Sequence, residues 1–270
     1  MAVYSAYSDE AGIGDPRGSY LFAGFVASEE TWSWVRRAWH DRVLNGPRKL
    51  PYLHMIDIRR EAWREQHHIS FNDGDERVAQ AARILYSTGS MSGVGSVVER
   101  GDIHDHFHTL FKRKKNVPVG LDQPDYLCFL AYSTFTLAEV WKTYPDVTQV
   151  NFVVAQNGKI TQRLAAFFQE IKLLIDPPLR GIAGELIIKK MEDEPALQAA
   201  DVLCWHLQRY YAKTMERIDE GRLALMVNDT SGHLHRWEKE EVIQLSDKFR
   251  ALITQKRESE GTAREATVCD

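Results

Sequence analysis

A mixed α/β fold, with an antiparallel hairpin followed by strands that alternate with helices, is what this 270-residue chain predicts. Three observations carry that prediction. Two apolar runs, MAVYSAYSD (1–9) and YLFAGFVAS (20–28), flank the glycine-rich turn AGIGDPRGS (11–19), and strands so joined pair most simply as a hairpin. Further on, the β-rich runs VNFVVA (150–155) and GELIIKKM (184–191) alternate with stretches of helical period. Helices placed between strands pack on the faces of a sheet, so helices are expected on both faces.

Each element has a local reason. Ser28 followed by Glu29 and Glu30 starts a helix, because acidic groups favour the positive end of its dipole. Trp32, Val35, Trp39 and Val43 then recur at helical spacing, and Asn45-Gly46-Pro47 ends the run. Residues 49–72 have no clear period. A second helix is expected over 75–86 and a third strand over 91–99. The stretch 102–120 reads as a short helix running into a basic loop, and 125–144 as a long apolar helix. Gln156-Asn157-Gly158-Lys159 turns the chain into a helix over 160–175, which Asp176-Pro177-Pro178 stops. Pro195 suits the first turn of a helix over 195–211. An amphipathic helix over 239–256 precedes a mobile polar tail, 257–270. The expected organisation is one domain over 1–256 with inserted helices at about 28–90. This order of elements is the layout of a ribonuclease-H-like fold.

Composition narrows the function. The net charge of −4 excludes a basic field over the whole protein, so any polyanion site must be local. Cys128, Cys204 and Cys269 are far apart with no CxxC spacing, which argues against a zinc ribbon or disulfide framework and fits a cytoplasmic protein. The N-terminus does not read as a signal peptide, and no run reaches the ~18 apolar residues of a membrane span. Without GK[ST] in a glycine-rich loop, GxSxG, or GxGxxG after a strand, the NTPase, α/β-hydrolase and Rossmann readings lose their main support.

The residues that could carry chemistry are acidic. Asp201 borders the stripe Leu197, Ala200, Cys204, Leu207 and Tyr211 of its helix, with Gln198 one turn earlier on the same side. A carboxylate pressed against an apolar stripe costs several kcal/mol unless it is paired, hydrogen-bonded or bound to a metal. Asp9 sits at a strand end, where it makes either an Asx-turn or a ligand projecting from the sheet edge. Glu10 should point to the opposite face, which makes Asp9 the better ligand candidate. Glu192, Asp193 and Glu194 suit a helix N-terminus, yet they also bring carboxylates to the sheet end that carries Asp9. Hard oxygen donors gathered there would suit Mg²⁺ or Mn²⁺. His54, with Asp57 three residues on, is a further site candidate, or else a satisfied core histidine. Lys112, Arg113, Lys114 and Lys115 form the densest basic run and are the first place to expect phosphate contacts, with Arg36-Arg37, Arg59-Arg60 and Lys189-Lys190 as additions. The strand over 150–155 ends at Ala155, Gln156 and Asn157, with no carboxylate.

The segments YSDEAGIGD (7–15), YLFAGFVAS (20–28), YLHMIDI (52–58) and LQAADVLCWHLQRYY (197–211) together resemble the bacterial family catalogued as domain of unknown function 3800. Its members open with an Asp-Glu-(Ser or Ala)-Gly strand end and close with a Leu-Gln-x-Ala-Asp helix. The resemblance implies a ribonuclease-H-like scaffold. Asp9 matches the first acidic residue, Asp193 the acid at the end of the last core strand, and Asp201 the aspartate of the final helix. The mid-sheet carboxylate of ribonuclease-H-like nucleases has no counterpart at Ala155. The expectation is a metal-dependent nuclease acting on nucleic acid, with Asp9, Glu10, Asp193 and Asp201 as catalytic acids and Gln198, His54 and the basic run on the substrate. The alternative is a decayed scaffold that binds nucleic acid or a protein. Trp32, Trp34 and Trp39 also leave room for self-association into a homo-oligomer.

Overall fold

The computed structural model describes residues 2–12, 18–46, 48–103, 124–227, 232–244 and 247. Strands β1 (Ala2–Ala11) and β2 (Ser19–Ser28) form the expected hairpin, with Tyr4 opposite Ser28 and Ala11 opposite Leu21. Gly24 of β2 lies opposite Ser8, where an added Cβ would run into the Tyr7 carbonyl oxygen. Strand β3 (Ser92–Glu99) pairs antiparallel with β2. Strand β4 (Val147–Ala155) runs parallel to β1, and β5 (Ala183–Lys189) parallel to β4. The sheet order is β5-β4-β1-β2-β3, extended beyond β3 by the parallel strand β6 (Gly232–Arg236). Three antiparallel strands followed by two parallel ones on the β1 side are the ribonuclease-H-like arrangement. Every strand except β2 therefore ends at the same edge of the sheet.

Two helical layers cover the faces. On one lie α1 (Glu29–Trp39, continued by a wider turn His40–Leu44), α2 (Met55–Arg59), α3 (Glu61–Gln66) and α4 (Phe71–Tyr86). Helix α5 (Arg100–Ile103) follows β3, and α6 (Pro124–Thr143) and α7 (Gly158–Leu174) cover the other face. A single turn, α8 (Pro177–Arg180), leads into β5. Helix α9 (Pro195–Tyr211) returns to the first face and packs across β1 and β2, with α10 (Arg217–Val227) behind it. Alternation along β1 divides its side chains: Tyr7 packs with Trp32, Trp39 and Leu203 on the α9 side, and Tyr4 and Ala6 with Phe129 and Phe152 on the α6 side.

Several expectations need correction. Helix α4 starts at Phe71, not at Asp75, because Ser70 and Asp73 make a capping box in which each side chain accepts from the other's backbone N–H, at 3.1 Å both ways. The unassigned stretch before it folds as α2 and α3. Strand β5 stops at Lys189, two residues short of expectation. Strand β1 continues through Asp9 to Ala11, so Asp9 and Glu10 stand within the ladder, opposite Ala23 and Phe22. Helix α10 and strand β6 were not among the expected elements: α10 buries Asp219 and Arg222 beside Leu223 and Met226, and inward charges erase an apolar stripe. The predicted helix over 239–256 is helical from 239 to 244, and its remainder is largely outside the described residues, as are the stretch 104–120 and the tail 257–270.

Candidate functional site

Because the strands end together, the edge beyond β1 and β4 gathers side chains distant in sequence. An open cavity of about 970 Å³ lies there, lined by Asp9, Glu10, His54, Asp57, Ala155, Asn157, Glu192, Asp193 and Asp201, with Trp205 and Gln208 further along α9. Among the described residues, six carboxylates line it, and Lys190 is the one lysine or arginine.

Asp9 leaves β1 on the α9 side and is 7% exposed, and Asp201 on the second turn of α9 is 6% exposed. Burial raises the Asp9 carboxyl well above its ordinary range, and the negative charges of Glu10 and Asp201 push the same way. Burial lifts Asp201 from 3.8 to about 6, against the opposing pull of His54 and of the Met55 N–H that donates to Oδ2 at 2.6 Å. Glu10 points away from Asp9, as strand alternation predicts, yet stays beside it. It does leave β1 on the α6 side, but the strand is ending, so its carboxylate stands close enough to raise Asp9. The Asn157 side-chain amide donates to its Oε1.

Helix α9 holds this arrangement through the loop before α2. Gln198 accepts from Leu53 N–H at 3.0 Å and Asp201 from Met55 N–H, so the backbone on both sides of His54 is tied to one helix face. Gln198 also accepts from Trp39 Nε1 at 2.9 Å and donates to Met191 O at 3.1 Å. It is completely buried and does not line the cavity, which removes it as a substrate contact. The residue type had suggested a ligand contact, but a buried amide with four bonding sites is equally a structural clip. The single Cys204 S–H is shared between the carbonyls of Asp9 (3.1 Å) and Ala23 (3.3 Å), pinning α9 to the strands.

His54 lines the cavity. Its Nδ1 is 2.9 Å from Asp57 Oδ2, which also accepts from Tyr52 O–H at 3.0 Å, and its Nε2 is 3.9 Å from Asp201 Oδ1. The acidic turn before α9 divides. Glu192 and Asp193 are exposed at the cavity. Glu194 is buried instead, where it accepts from Arg36 at 2.8 Å, from Lys189 at 2.6 Å and from Ala196 N–H at the start of α9. Arg36 and Lys189 are thereby withdrawn from any basic patch, and Arg59 turns inward to Asp75 at 3.2 Å. Lys112, Arg113, Lys114 and Lys115 lie outside the described residues. Among the described residues, no three histidine, cysteine, aspartate or glutamate side chains already form a metal-ion site.

No family model and no curated protein matches the chain. Among solved structures it is similar to the PCNA:RNase HII complex from Archaeoglobus fulgidus, at 15% identity and a TM-score of 0.38, over 83% of this chain and 79% of that one. A likeness so distant adds nothing to the strand order, on which the fold assignment rests. No helix among the described residues is long and apolar enough to cross a membrane.

Proposed function

We propose that the chain is a nuclease-like protein that binds a divalent ion, Mg²⁺ or Mn²⁺, at its acidic cavity and cleaves phosphodiester bonds of nucleic acid. The observation that carries this reading is the convergence of Asp9 and Asp201, 201 − 9 = 192 residues apart, as nearly buried carboxylates in one cavity. Burial and the neighbouring acids Glu10 and Asp201 all disfavour its ionised form, against one opposing backbone hydrogen bond from Glu10. Hard oxygen donors under mutual repulsion fit a divalent cation. Asp9, Glu10 and Asp201 would hold it, with Asp193 at the mouth. Bound there, such an ion lowers the pKa of a water nucleophile and offsets charge on the reacting phosphoryl group. Asn157 fixes Glu10, Met55 N–H fixes Asp201, and Lys190 places a cation beside the cavity for a phosphate. The run Lys112 to Lys115 would contact the nucleic-acid backbone.

The test is incubation of the full chain with single- and double-stranded DNA and RNA in Mg²⁺ and in Mn²⁺. Cleavage is expected, with loss of at least about 100-fold in Asp9→Asn and Asp201→Asn variants that keep the wild-type circular dichroism. A wild-type chain inert on all four substrates in both ions would overturn the proposal.

One observation favours a second reading. Strand β4 delivers Ala155, Gln156 and Asn157 to the cavity without a carboxylate, and Asn157 spends its amide on Glu10. A scaffold so changed would bind nucleic acid or a protein partner without cutting. Inert wild-type protein that still retains an oligonucleotide, equally well after Asp9→Asn, would select this reading.

A further inference from the structure

The loop that carries His54 is held more firmly than a solvent-facing loop requires. Leu53 N–H and Met55 N–H, on either side of it, both donate to side chains of α9, so the imidazole cannot drift along the cavity wall. The ring orientation is set separately. Asp57 stands in the first turn of α2, three residues after His54, and its Oδ2 lies 2.9 Å from Nδ1. That same oxygen accepts from Tyr52 O–H, and the other lies 3.5 Å from Arg60 Nη1, so the carboxylate is anchored on both sides. A carboxylate accepts, so Nδ1 carries the hydrogen. Nε2 is then the ring nitrogen left for a ligand, on the side of Asp201, whose Oδ1 is 3.9 Å away, too far for a hydrogen bond.

A carboxylate accepting from one imidazole nitrogen is the partner that orients metal-bound histidines, and here the other nitrogen lies on the side of Asp201 in the cavity. Resting on the metal reading above, we infer that His54 Nε2 is a nitrogen ligand of the ion held by Asp9 and Asp201, and that the cavity consequently prefers Mn²⁺ to Mg²⁺. Magnesium keeps oxygen ligands, whereas a first-row transition ion gains from imidazole. Asp57 is then a positioning residue acting through the ring, and Tyr52 holds Asp57.

Mn²⁺ bound to the full wild-type chain, followed by electron paramagnetic resonance, tests this without any substrate. The bound ion is expected to show ¹⁴N modulation from imidazole in the electron spin-echo signal. His54→Ala should abolish the modulation and weaken Mn²⁺ at least about 10-fold while changing Mg²⁺ affinity less than about 3-fold. Asp57→Asn should weaken Mn²⁺ about 10-fold while changing Mg²⁺ affinity less than about 3-fold, the split expected if it acts through the ring and not as a charge in the cavity. Mn²⁺ bound to wild type without ¹⁴N modulation would overturn the nitrogen ligand and leave the metal reading standing. A wild-type chain that takes up no Mn²⁺ would end both. The wild-type spectrum decides even where a variant fails to fold.

Discussion

Asp201 and Asp9 are electrostatically costly where they stand, and the cost has a pH signature. Asp201 titrates near 3.8 in an unfolded chain and near 6 in the folded one. Between those values the folded chain keeps a proton that the unfolded chain has released, so stability falls as pH rises through the window and stays reduced above it. Two pKa units correspond to about 3 kcal/mol, and Asp9 is shifted the same way. In urea unfolding without divalent ions, Asp201→Asn is expected to be more stable than wild type by about 1–3 kcal/mol at pH 7.5, and Asp9→Asn to be more stable as well. The advantage should shrink towards pH 4. Variants less stable than wild type at pH 7.5 would contradict this account of the two acids.

At the scale of elements, α9 does two tasks from one face. Its apolar residues Leu197, Leu203 and Leu207 pack on the sheet, while Gln198, Asp201 and Cys204 at successive turns hold the loop before α2 and the strands. Glu194 secures its start by joining Arg36 of α1 to Lys189 of β5. Removing the Gln198 amide leaves Trp39 Nε1, Leu53 N–H and Met191 O without that partner in a closed interior. Gln198→Ala should therefore cost about 3 kcal/mol, each unmet buried group contributing about 1–3 kcal/mol before relaxation. Hydrogen exchange at the Leu53 amide should accelerate more than exchange in β1. Equal acceleration everywhere would show only a global loss of stability, without the local clip.

Across the whole molecule, the site is backed by an ionic cluster that ties four helices. Arg222 of α10 donates to Asp75 of α4 at 2.5 and 2.9 Å and to Asp219 at 3.0 Å. Arg59 of α2 reaches the same two acids at 3.2 and 3.6 Å, and His206 of α9 stands 3.7 Å from Asp219. For Asp75, the Arg222 hydrogen bond is the leading cause of a lowered carboxyl. For Asp219, burial opposes the lowering, which His206 leads and Arg59 and Arg222 support. Arg222→Met removes one cation and leaves two acids short of charge, an expected loss of about 3–5 kcal/mol at pH 7. Because lowered carboxyls add stability only above their folded pKa values, the deficit should narrow below about pH 4, when wild type loses the same pairs. A pH-independent deficit would assign the effect to packing alone.

Much of the fold was legible because it rests on local patterns. The hairpin followed from two apolar runs around a glycine-rich turn, α1 from Ser28 and its acidic first turn, and α9 from Pro195 and the stripe beside Asp201. Asp201 itself stood out as a carboxylate against apolar neighbours. What stayed hidden depended on partners elsewhere in the chain: α10 has no apolar stripe of its own, β6 is five residues long and holds its place by pairing with β3, and Gln198 looks the same in sequence whether it meets a ligand or clips a loop. Sequence alone determined the order of the first five strands and their main helices and the acidic residue types, because helical and strand periods are properties of neighbouring positions. Only the tertiary structure decided that Asp9, Glu10, His54 and Asp201 share one cavity, and that Arg36 and Lys189 are spent on Glu194. Charge and hydrogen bonding act through distance in space, and the parallel strands set that distance by ending together.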